Sequence, residues 1–133
     1  MTENYIYQIE NQLIKIAEPD KKYTVDLRKK LFNFAADTIR FLMILPRQKE
    51  FDVFCNQLSK SATSIGANYE ESQAASFAEF RHRINICLRE ARETAYWLRL
   101  MKEIQVSNTK INSEKLNFLL EEIDVIQKIL GSI

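Results

Sequence analysis

Glycine and proline are almost missing from this sequence, with 2 of each in 133 residues. A sheet protein of this length needs more turn residues, so the shortage favours a few long helices. No apolar run approaches the ~18 residues of a membrane span, and the N-terminal stretch shows no signal-peptide core. No membrane partner is expected. The net charge of +1 lacks the basic excess of a dedicated nucleic-acid binder, so any such binding must rest on a local patch.

Histidine is reduced to His82, which stands in a charge run between Arg81 and Arg83. A di-iron bundle site needs two Glu-x-x-His motifs, and none is present. Nucleophilic catalysis by Ser or Cys usually calls on a histidine base, and His82 is badly placed for one. No glycine-rich phosphate loop occurs. The 2 cysteines, Cys55 and Cys87, fall at helical core positions without zinc-ligand spacing, which suits two reduced thiols better than a disulfide. No cofactor, metal or small-molecule substrate is expected. The carboxylate pairs Glu70/Glu71 and Glu90/Glu93 alone could serve as acid and base. Interleaved with Arg89 and Arg92, the second pair reads as helix-surface ion pairing, so the expectation is no enzyme.

What remains is helical periodicity in a single domain: hydrophobic residues are 46% of the chain and charged residues 28%. Tyr5, Ile9, Leu13 and Ile16 share one face of a short N-terminal helical arm, taken as 1–22, which Pro19-Asp20 interrupts. A four-helix bundle domain follows over 23–133. Its first helix runs from Val25 to Leu45, with Leu27, Leu31, Phe34, Thr38, Leu42 and Leu45 inward and Pro46 as the stop. The second runs from Gln48 to Ala75. Its latter half is rich in small residues around Gly66, which lets another helix approach closely. A capping box, Ser76-x-x-Glu79, opens the third, which ends near Ile104. After a polar loop, the fourth begins at Asn112 or Ser113 and should stop before Gly131, a good C-cap. Four helices with short connections predict an all-α, antiparallel up-down-up-down four-helix bundle.

Three helices carry a second apolar stripe. These are Phe32, Ile39 and Met43 on the first, Ile86, Trp97 and Leu100 on the third, and Phe118, Val125 and Ile129 on the fourth. In a lone bundle such residues face water. Repeated on three helices, they point to a covered outer surface and hence to self-association. Irregular crossing angles that bury both stripes within one subunit are the alternative.

One polar constellation stands out. At about 100° per residue, Arg81, Asn85, Arg89, Arg92, Tyr96 and Arg99 fall within about 80° of arc on the third helix. Guanidinium forks suit phosphate, and a tyrosine can stack on an unpaired base. The competing reading is a solvated face, or ion pairs with Glu114, Glu121, Glu122 and Asp124 of the fourth helix. Lys21, Lys22, Arg28, Lys29 and Lys30 form a second basic cluster open to the same two readings.

The block Ser61-x-x-Ser64-Ile65-Gly66-Ala67-Asn68-Tyr69-Glu70-Glu71-Ser72, with Phe80 and then Leu88-Arg89-Glu90-Ala91-Arg92-Glu93-Thr94-x-x-Trp97-Leu98, resembles the family of four-helix bundle proteins encoded by intervening sequences of bacterial 23S rRNA genes. The resemblance spans about residues 25–130. The family is similar in turn to the accessory variability protein of diversity-generating retroelements, which partners a reverse transcriptase and binds nucleic acid. The resemblance implies a bacterial, cytoplasmic protein assembled as a homopentamer, with no established enzymatic activity. Ser72 stands where many members have glycine. Two functional expectations follow. One is a self-assembling scaffold or adaptor. The other is an RNA- or DNA-binding assembly, accessory to a reverse transcriptase, that uses the basic stripe of the third helix.

Overall fold

The computed structural model describes the backbone of residues 21–105 and 112–133, and the side chains of 26–104 and 112–133. Four helices follow one another: α1 (Lys21–Met43), α2 (Lys49–Ser72), α3 (Phe77–Gln105) and α4 (Ser113–Ser132). Neighbours in sequence pack together, and α1 closes the ring on α4. Among the described residues, the backbones of the diagonal pairs α1/α3 and α2/α4 do not approach closely. This is the expected all-α four-helix bundle. The expected arm at 1–22 lies outside the described residues, except for Lys21 and Lys22, which already belong to α1.

Each helix contributes a stripe at i, i+3, i+4, i+7 spacing to one core. Leu31, Phe34 and Phe41 come from α1, Leu58, Ala62 and Ile65 from α2, Cys87, Ala91 and Leu98 from α3, and Leu116, Leu119 and Ile126 from α4. A fully buried leucine, isoleucine or phenylalanine contributes about 1.5–3 kcal/mol each, so the stripes carry most of the stability. Phe41 was absent from the expected stripe of α1, yet it is buried, while Leu42 is only half-buried.

Small residues set the spacing of α1 and α2. A methyl built on Gly66 would lie 3.5 Å from Leu31 Cβ and 3.7 Å from its carbonyl. There is room for a methyl and little more, so larger side chains would push α1 outward. Buried hydroxyls are satisfied within their own helices. Thr38 donates to the Phe34 carbonyl at 2.8 Å, and Ser72 to that of Tyr69 at 2.6 Å. Thr94 reaches across from α3 to Ser61 Oγ on α2 at 2.9 Å.

The helix ends differ from expectation in two places. α2 closes at Ser72, not Ala75, and 73–75 continue as a tighter turn, with the N–H of Gln73 on the Glu70 carbonyl at 3.3 Å. α4 runs through Gly131 to Ser132, because Gly131 stays right-handed and the Ser132 hydroxyl caps the Ile129 carbonyl at 2.7 Å. The Ser76 box is half made. The Glu79 N–H donates to Ser76 Oγ at 3.3 Å, but the Glu79 carboxylate turns to Arg83 at 3.1 Å. At α4, Asn112 caps the Lys115 N–H at 3.0 Å.

Candidate functional site

Arg81, Asn85, Arg89, Arg92, Tyr96 and Arg99 are all exposed along α3, as their spacing requires. The acids of α4 do not neutralise them. Glu122 pairs with Lys30 of α1 at 3.0 Å, and Asp124 pairs with Lys128 at 2.9 Å. Among the described residues, Arg81, Arg89, Arg92 and Arg99 take part in no ion pair, and α3 therefore presents four open guanidinium groups along one edge of the bundle. Glu103, one turn beyond Arg99, closes the line.

Arg83, on a different face of α3, behaves differently. Its guanidinium lies 2.7 Å from Glu71 Oε2 and 3.1 Å from Glu79 Oε1, and donates to Asn68 Oδ1 at 3.1 Å. Asn68 in turn donates to the Ser64 carbonyl at 2.8 Å. Together with the Thr94–Ser61 bond, this makes the block around Ser61 to Ser72 a clasp between α2 and α3. The residues that carry the family resemblance do structural work here, and Arg83 was not among the residues the sequence singled out.

Tyr96 is 51% exposed, and its ring stands edge-on to Trp97 with centroids 5.1 Å apart at 74°. Trp97 rests against Phe54 at 5.9 Å and directs its indole N–H at Glu93 Oε2, 3.4 Å away. The tyrosine is thus braced from behind, with its outer surface in water. Phe77, in the first turn of α3, is 75% exposed. Read from sequence it is an ordinary first residue after a cap, and its i, i+4 spacing to Arg81 was the available signal.

Burial, with the Glu93 carboxylate second, pushes Glu90 above its ordinary 4.5, against the pull of Lys60 and Arg89. The folded protein then holds this proton more tightly than the unfolded chain. Its contribution to stability is complete below the unfolded value and is lost as pH rises through the folded one. Glu90→Gln is expected to melt higher than the parent protein at neutral pH, with the two melting temperatures converging at about pH 4. A variant that melts lower than the parent at neutral pH would assign the Glu90 charge a stabilising role instead.

Cys87 is buried, donates weakly to the Ile65 carbonyl at 3.3 Å, and is pushed up to about 12 by that burial. Cys55 is half-buried, not a full core residue, and burial raises it too. Both are protonated thiols at neutral pH and poor nucleophiles. Among the described residues, no group of His, Cys, Asp and Glu could hold a metal ion, and no helix is long and apolar enough to cross a membrane.

The second apolar stripes divide. On α1, Phe32 is 71% and Met43 77% exposed, with Ile39 half-buried between them. Ile39 and Met43 border an open groove of about 720 Å³ between α1 and α2, lined also by Leu42, Leu45 and Cys55 and by the polar Arg47, Asp52 and Asn56. Phe118 is exposed beside a smaller depression of about 270 Å³ shared with Asp37, Arg40 and Phe41 at the α1/α4 seam. On α3 the stripe is largely spent inside the subunit: Ile86 and Leu100 are half-buried, and Trp97 packs on the core. On α4, Val125 packs half-buried on the core. Ile129 requires a correction, because it is buried at 6% and belongs to the core itself. Ile129 adjoins Leu130 and follows Ile126 by three residues, both also buried, so the inward apolar arc of α4 is wide enough to include it.

The sequence matches the family described as 23S rRNA-intervening sequence protein over residues 24–132. No curated protein matches it. Among solved structures, it is similar to a protein of unknown function from the S23 ribosomal protein family of Bacteroides thetaiotaomicron. The two share 34% identity, with a TM-score of 0.67, over 80% of this chain and 95% of that one.

Proposed function

Because this chain belongs to the 23S rRNA-intervening sequence protein family, and a solved structure similar to it has no assigned function, we propose its role from geometry: a non-enzymatic scaffold that associates with copies of itself. The observation that carries this reading is the α1 ridge. Phe32 and Met43 are both more than 70% exposed on one face of α1, and Met43 with half-buried Ile39 borders an open groove, an apolar surface that is costly to leave in water. A second copy can lay its own ridge along that groove. The resemblance supplies the number of copies, five. Light scattering over a dilution series tests the reading: a mass that stays above that of one chain supports it, and a monomer at micromolar concentration overturns it.

A second reading is favoured by the four unpaired arginines of α3, namely that the assembly binds RNA or DNA, as an accessory to a reverse transcriptase if the resemblance extends that far. An arginine with no carboxylate partner keeps its full attraction for phosphate. Four such contacts predict log affinity falling with log salt at a slope of about −3 for a single strand. Replacing Arg89 and Arg92 with glutamine is expected to halve that slope. A slope unchanged by the double substitution would remove the stripe from the argument.

A further inference from the structure

We infer that the α3 stripe takes a single strand of nucleic acid, with Phe77 and Tyr96 serving as stacking platforms for unpaired bases; this rests on the nucleic-acid reading above. The charged line does not stand alone. Phe77 precedes Arg81 by one helical turn, and Tyr96 lies between Arg92 and Arg99. Both rings are more than half exposed, and the 19-residue step between them spans about 28 Å of straight helix.

Two features separate a strand from a duplex here. Bases in a duplex are paired and stacked on one another, so an exposed ring beside the phosphates gains nothing from them. An unpaired base has a free face, and stacking on an aromatic side chain is sequence-tolerant. In addition, α3 packs on both α2 and α4, and the spacing of its arginines keeps them within about 80° of arc on its outer face, so they form a line. An extended strand can follow that line, whereas the phosphates of a duplex wind away from it. Tyr96 is suited to the task because Trp97 holds its ring edge-on at 5.1 Å, so little rotamer freedom is left to lose on stacking.

The test uses the full chain with labelled oligouridylate, oligothymidylate, an RNA duplex of equal length, and heparin as a charge-only polyanion, at low salt. Tyr96→Ala and Phe77→Ala leave the core intact, since both rings are exposed. The expected result is tighter binding of the single strands than of the duplex. Each aromatic substitution should cost roughly tenfold in single-strand affinity and leave heparin binding unchanged. The emission of Trp97, the 1 tryptophan of the chain, should change on binding single strands and not on binding heparin. The two oligonucleotides distinguish RNA from DNA as the natural strand. Equal or tighter duplex binding, or single-strand affinity indifferent to both aromatic substitutions, overturns the inference and leaves nucleic-acid binding standing. Absence of binding to every nucleic acid removes both.

Discussion

Placing glutamate at Ile129 is expected to destabilise the subunit strongly. The side chain is 6% exposed within the core cluster. The substitution removes a branched apolar chain and puts a carboxylate in its place. Loss of the apolar group and burial of the charge together are worth about 3–5 kcal/mol. A domain of this kind has roughly 5–15 kcal/mol in total, so the variant should show a much lower urea midpoint or fail to fold. Phe118→Glu is the matched control: the same charge on the same helix, at an exposed site, should leave the midpoint nearly unchanged. An Ile129→Glu protein with parental melting but reduced mass in solution would return this residue to the outer face.

The double substitution Phe32→Glu and Met43→Glu should act in the opposite way, reducing the assembly to single chains while the helices melt as before. Both residues are more than 70% exposed, so the isolated subunit loses little. In the assembly each would bury about 1.5–3 kcal/mol of apolar surface. Losing two per interface weakens association by roughly 10²–10⁴-fold, before any repulsion between the new charges of facing copies. Sedimentation velocity on parent and variant, with circular dichroism on the same samples, separates the two effects. A variant that retains the parental mass would show that α1 is not the contact surface.

Periodicity and punctuation made the four helices legible, because an apolar stripe every three to four residues has few other uses. The exposure of Arg81 through Arg99 was legible for the same reason. What periodicity could not resolve is rotation about each helix axis by a few tens of degrees. That rotation puts Phe41 in the core in place of Leu42, and Ile129 inside while Met43 stays outside. It depends on how large side chains from four helices interdigitate, a property of the whole set and not of one window. The Arg83 clasp was hidden for a related reason: its partners Asn68 and Glu71 lie across the hairpin, and i, i+4 reasoning finds only Glu79.

The four seams of the bundle are unequal. Among the described residues, α2 and α3 approach each other most extensively and are locked by Arg83 and by Thr94 on Ser61, whereas α1 and α4 approach least. Such an arrangement orders the folding reaction. The α2–α3 hairpin closes a short loop at small entropic cost and can form early, while the α1–α4 seam must bring together segments about ninety residues apart, as its Lys30–Glu122 pair shows. Amide protons of α2 and α3 should then exchange only through global unfolding, and those of α1 through a cheaper opening along that seam. The ridge proposed for assembly lies on this least protected helix, so joining a neighbour would also close the weakest part of the subunit.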